Sequence, residues 1–311
     1  ITCPKCNEDF RTQWATEEAD LALPRGAAVS ERFEAGRNFS NKLWNATRFV
    51  LMYLQDDAIA VSHLKLHDPS VLPLEDRWLL SRLSTVATAV TEHIESFHFA
   101  EAARTLYAFA WDEYCSAYLE LCKPRLNDAK QKQQACYMLL FGLDTILRLL
   151  HPVMPFVTEE IWQNLAKEHG LRSYPWDTDQ LPGSIMVAAW PRPPISWQSA
   201  ETEKQFQTFL QIVTAIREIR SRQNIPPRQA IDVTLRVQTN KQLLLTPLTS
   251  SIEAMAMCTV VSMSPDAQPV TGSAEVTVDD CTVFIDLAEL IDVDAEICLL
   301  YTSPSPRDRS L

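Results

Sequence analysis

GRNFSNKLWNATRFV, residues 36–50, reads as one amphipathic helix. At about 100° per residue, Phe39, Leu43, Ala46, Val50 and Tyr53 fall on one side and make an apolar stripe for a core. The opposite arc carries Arg37, Asn38, Asn41, Lys42, Asn45 and Arg48, with Phe49 among them. That arc has cations, amides and one ring, and no acid. It suits an ordinary solvated helix face, the commoner meaning of such a pattern. It also suits a surface that touches phosphates and stacks on an unpaired base.

The surroundings of this helix are also helical. Ser30 before Glu31 offers an N-cap with an acid in the first turn, and the pattern runs to about Gln55. Apolar spacing predicts further helices at about Glu75–Ser96, Phe97–Cys122, Ala129–Leu150 and Pro155–Trp162. Lys123-Pro124 is expected to end the third, because proline cannot continue the hydrogen-bond ladder. Amphipathic helices joined by short loops mean a bundle. Residues 171–200, rich in Pro and Trp, read as a connector that packs. Another helix is predicted from Glu201 to Gln223. Strand-like alternation follows at Ile231–Val237, a helix near Asn240–Ala256, and strands at Cys258–Met263, Glu275–Val278 and Cys281–Ile285. The expected fold is therefore mainly α, a helical bundle followed by a small α/β subdomain.

The chain has 311 residues, room for two domains, and 46% of them are hydrophobic. Glycine occurs only 6 times, which disfavours Gly-rich phosphate loops. A formal net charge of -12 argues against nonspecific coating of nucleic acid, but leaves room for a small basic patch that reads one folded RNA. No apolar run is long enough to span a membrane, and no secretion signal opens the chain. The 8 cysteines are scattered, so no disulfide framework is expected and a cytoplasmic location fits.

Catalytic constellations are missing. The sequence holds no P-loop, no G-x-G-x-x-G and no G-x-S-x-G elbow. Cys3 and Cys6 have metal-ligand spacing, but no second pair completes a zinc site, so no metal is expected. His63 and His67 lack a third ligand and read as a surface pair. His151, before Pro152, reads as a helix C-cap. A second basic group, Arg217, Arg220, Arg222 and Arg228, lies near a helix end. There it serves either the helix dipole or contact with an RNA backbone or a neighbouring domain. Lys123 and Arg125 are candidates for phosphate or interface contacts of the same kind.

Four segments carry a resemblance. GRNFSNKLWNATRFV resembles the first helix of the anticodon-binding domain of valyl-tRNA synthetases, which are class I aminoacyl-tRNA synthetases. WDEYCSAYLELCKPRL (111–126), HPVMPFVTEEIWQ (151–163) and IREIRSRQNIPP (216–227) look like that family's later signatures, in order. The resemblance covers roughly Val29 to Ile297. It implies a tRNA for valine as partner, with its anticodon stem-loop on the opening helix. Lys42, Arg48 and Phe49 match family positions at the anticodon loop, and Arg37, Asn38 and Asn45 share their arc. It also implies a parent enzyme that joins valine to tRNA with ATP and Mg²⁺, and a catalytic domain as a second partner.

Neither of the family's two ATP-binding signatures, HIGH and KMSKS, occurs here, and its editing domain is missing too. The expected organisation is an unmatched segment 1–28, an anticodon-binding bundle 29–170, the connector 171–200, a junction subdomain 201–297 and an unrelated tail 298–311. This is the pattern of a catalytically inactive, monomeric fragment without a cofactor of its own. The alternative is a stand-alone RNA-binding or adaptor module derived from a synthetase.

Overall fold

The computed structural model describes residues 2, 7–11, 16–25, 31–54, 68–168, 183–226 and 229–287. Cys3, Cys6, His63, His67, Arg228 and the tail lie outside them. Helix α1 is Glu31–Leu54 and α2 is Leu74–Glu95. Helix α3 (Phe99–Ala108) continues without a break into a π-helix, Phe109–Tyr118, and then α4, Leu119–Leu126. Helices α5 (Lys132–Leu150) and α6 (Pro155–Glu168) complete a bundle. Helix α7 is Ala200–Arg222.

Helix α5 is the axis of the bundle. Every residue from Ala135 to Leu150 is buried, the signature of a helix surrounded by others. Gly142 sits in its middle for a steric reason. A Cβ there would stand 2.7 Å from the Tyr114 ring, whose hydroxyl donates to the Leu139 carbonyl. Helix α1 buries Phe39, Leu43, Ala46 and Val50 as its period demands, and adds Thr47, Leu51 and Leu54.

The α2 end shows how the chain turns without glycine. Phe97 adopts φ 62°. The amides of Phe97 and His98 donate to the Ile94 and His93 carbonyls, which closes a Schellman cap. Along α2, Ser81, Ser84, Thr88 and Thr91 form a hydroxyl stripe on which the connector lies. Ser84 donates to the Pro194 carbonyl, Trp190 donates to Thr91, and the Ser199 amide donates to Ser81. Glu203 on α7 accepts from Ser81 and pairs with Arg82, which also grips Glu113 on the π-helix through two hydrogen bonds. Trp78 and Phe206 stack at 3.9 Å across the same α2–α7 contact.

The other side of α7 carries a sheet of order β2-β1-β4-β3. Strand β1 is Ile231–Arg236, β2 Cys258–Ser264, β3 Ser273–Val278 and β4 Cys281–Asp286. Strand β1 runs parallel to β2 and antiparallel to β4, so a crossover must join β1 to β2. It consists of α8 (Thr239–Leu245) and α9 (Thr249–Ala256). The single helix expected over 240–256 is two, because Pro247 breaks the ladder in a 3₁₀ turn. A helical bundle with a small α/β subdomain is the fold observed.

Two expectations about the 111–126 segment are corrected. Pro124 does not end its helix: it lies inside α4, which continues to Leu126. Arg125 is not a surface cation: it is 7% exposed. Its guanidinium meets both oxygens of Asp76 at 2.6 and 2.8 Å, and Tyr118 donates to the same carboxylate at 2.6 Å. That grip holds the last turn of α4 in place despite the proline. Burial works against the Arg125 charge, but Asp76 more than offsets it and raises the pKa. Burial, and then the charge of Asp76, pushes the Tyr118 phenol well above its ordinary value, so it stays a donor. Burial also raises the neighbouring Glu75, against the pull of Arg125.

Removing Arg125 leaves a buried charge alone. Arg125→Ala should cost about 3–5 kcal/mol in urea unfolding. Gly142→Ala should cost about 1–3 kcal/mol, through the clash with Tyr114, although alanine is the better helix former. A neutral result for either variant contradicts the packing described.

Candidate nucleic-acid interface

The outward face of α1 holds Arg37, Asn38, Asn45 and Arg48, all exposed. Among the described residues none of these four has a side-chain hydrogen bond or ion pair. Beside them lies an open cleft of about 580 Å³ lined by Trp44, Asn45, Thr47, Arg48, Phe49, Leu51, Met52 and, from α6, Asn164. Not one of these lining residues is acidic, on a chain of net charge -12. Phe49 is half-buried. Its ring meets Tyr53 edge-on at 5.1 Å, and it packs partly against the core.

Sequence reading missed Trp44, 36% exposed, and Met52, 58% exposed. The signal was available. On the same projection Trp44, Arg48 and Met52 follow one another at four-residue steps along the polar arc. Asn164 was not visible, because only the packing of α6 on α1 brings it there.

Lys42 faces sideways rather than outward. Its ammonium lies 4.1 Å from the centroid of the Trp111 ring and donates to the Ser116 hydroxyl. Cys115, beside Ser116, is a half-buried thiol pushed up to about 12 by desolvation, against a lowering influence of Lys42. Lys123 stands at the edge of the same face, 6.0 Å from the Phe49 ring centroid and paired with Glu120 at 2.5 Å. The sequence-derived candidates Lys42, Phe49 and Lys123 are thus brought together between α1 and the π-helix–α4 rod. Arg125 points away into the core.

The second basic group does something else. Arg217 donates through Nε and Nη2 to the Met255 carbonyl at 2.9 and 2.7 Å. Arg220, 6% exposed, donates to the Met257 and Pro226 carbonyls. Both cap the C-terminal end of α9, where carbonyls lack partners and the dipole favours a cation. They tie α7 to the α/β unit, so the expectation of RNA contact at Arg220 is corrected: it is buried. Arg222 is exposed and 3.7 Å from Glu218. His151 is the C-cap residue of α5, and its Nδ1 is 2.8 Å from the Thr158 hydroxyl. Among the described residues no group of three or more His, Cys, Asp or Glu is placed to hold a metal ion. No described helix is long and apolar enough to cross a membrane.

Residues 76–235 match the family of anticodon-binding domains of tRNA ligases. A valine–tRNA ligase of Rhodopirellula baltica is 47% identical over 302 residues, 96% of this chain and 29% of that protein. Those of Carboxydothermus hydrogenoformans and Listeria innocua are 37% and 35% identical over 86% and 87% of the chain. The chain spans about 29% of the length of these curated relatives. The Rhodopirellula match covers too much of the chain to exclude residues 1–28, so the expectation of an unmatched N-terminal segment is corrected.

The capping geometry has a direct consequence. Arg220→Ala should lower stability by about 1.5–3 kcal/mol, since charged donors to buried carbonyls are lost. Arg222→Ala should stay within about 0.5 kcal/mol of the parent. Urea unfolding of both variants checks the contrast.

Proposed function

Because the chain belongs to the family of anticodon-binding domains of tRNA ligases, we propose that it holds the anticodon stem-loop of a valine tRNA against the outward face of α1. The observation that carries this reading is the acid-free cleft on an acidic chain, with Arg48 and Asn45 beside the exposed ring of Trp44 and the half-buried ring of Phe49. Each component has a physical role. Anticodon-loop bases can leave their stack, and a base on an aromatic face gains about 1–3 kcal/mol. Arg37, Arg48 and Lys42 supply charge for the phosphates, and Asn38 and Asn45 can hydrogen-bond base edges.

On this reading the parent enzyme is a cytoplasmic, monomeric valine–tRNA ligase that attaches valine to tRNA through valyl-adenylate, using ATP and Mg²⁺. Neither ATP signature occurs in these 311 residues, so on this reading adenylate chemistry belongs to a catalytic domain. This chain contributes recognition. The similarity to valine–tRNA ligases from three organisms supports valine as the amino acid.

A valine tRNA transcript should bind more tightly than the same transcript with a swapped anticodon, by about tenfold, because base-edge hydrogen bonds to Asn38 and Asn45, unlike stacking, distinguish the bases. Equal affinity rejects the anticodon role. Arg48→Ala should weaken binding and lower the slope of log K against log salt by about 0.7–0.9, the share of one phosphate contact. Phe49→Ala should weaken binding with the slope unchanged.

A further inference from the structure

Lys42 lies on the same helix as this site, and its setting depends on the π-helix. Lys42 is half-buried, with its ammonium over the Trp111 ring and on the Ser116 hydroxyl. Both partners sit in the π-helix Phe109–Tyr118. Ser116 donates to the Trp111 carbonyl at 2.7 Å, which leaves its lone pairs for Lys42. In an α-helix, residues five apart diverge by about 140°. The i→i+5 register of a π-helix brings them toward one face, and such turns concentrate at functional sites. The wide turn is what sets an indole face and a hydroxyl acceptor side by side. Trp111 is itself held by stacking on Tyr107 at 5.6 Å and on Phe39 at 6.3 Å.

The partners of Lys42 are neutral. Arg82, Lys123 and Arg125 are each paired with carboxylates, whereas among the described residues no carboxylate pairs with Lys42. A ring face and a hydroxyl orient an ammonium without cancelling its charge. We propose that Trp111 and Ser116 are positioning residues that hold the Lys42 ammonium, uncompensated, for the backbone of the bound RNA. This rests on the reading of α1 as an RNA-binding face. The competing role for the same contacts is a pin between two helices with no part in binding.

The test measures the salt dependence of binding of the full chain to a valine tRNA transcript, with circular dichroism to confirm folding. Lys42→Ala should lower the slope of log K against log salt by about 0.7–0.9. Ser116→Ala, which barely alters packing, and Trp111→Leu should each weaken binding about two- to tenfold and shift the slope the same way. Trp111→Phe keeps an aromatic face and should restore most of the loss. Neither Ser116→Ala nor Trp111→Leu should add to Lys42→Ala. Full additivity, or an unchanged slope in both positioning variants, overturns the proposal. If Lys42→Ala leaves the slope unchanged while Arg48→Ala lowers it, Lys42 is only a pin and the RNA face stands. If neither substitution changes it, the RNA-face reading fails as well.

Discussion

Asp76 is fully buried in the first turn of α2, where an unpaired carboxylate would cost several kcal/mol, on the order of the penalties for buried ions. Three things stabilise it: the helix N-terminus, the forked guanidinium of Arg125 and the Tyr118 hydroxyl. The fork fixes direction as well as distance. It ties the last turn of α4 to the first turn of α2, across 49 residues of sequence. The exit of the π-helix is thereby set, and Lys123 is carried to the edge of the Phe49 ring. Arg82 does the same at the other end of the rod by joining α2, the π-helix and α7.

The basic residues therefore divide by what compensates them. Arg82 and Arg125 are held by acids, and Arg217 and Arg220 by helix-end carbonyls. Their charge is used up inside the protein. Arg37 and Arg48 have no such partners among the described residues, and Lys42 is held by neutral groups. A protein of net charge -12 cannot attract a polyanion by its overall field. Binding must come from a local site from which acids are kept out, as they are from the α1 cleft.

What the sequence revealed and what it hid follow from the range of each interaction. Local periodicity exposed the α1 stripe, and Phe39, Leu43, Ala46 and Val50 are buried as that period requires. The strand near Ile231 was legible from its alternation, and those near Cys258 and Cys281 from their apolar runs. The π-helix was not, because FAWDEYCSAY carries no mark of an i→i+5 ladder. Pro124 signalled a stop by local rules, yet the Arg125–Asp76 contact, which no local rule contains, keeps the helix going. For the same reason Arg125 and Arg220 looked like surface cations: their partners are distant in sequence. Trp44 and Met52 lie on the polar arc of the helix projection, but as apolar residue types they carry no charge or amide signal there.

On the proposed reading, the α1 face takes the anticodon arm. The most direct measurement is competition for a labelled valine tRNA by two short RNAs, its isolated anticodon stem-loop and its acceptor minihelix, followed by fluorescence anisotropy at fixed salt. The account predicts that the stem-loop displaces the full tRNA at close to the affinity of the whole molecule, while the minihelix does so weakly. Displacement by the minihelix with no effect of the stem-loop would contradict it.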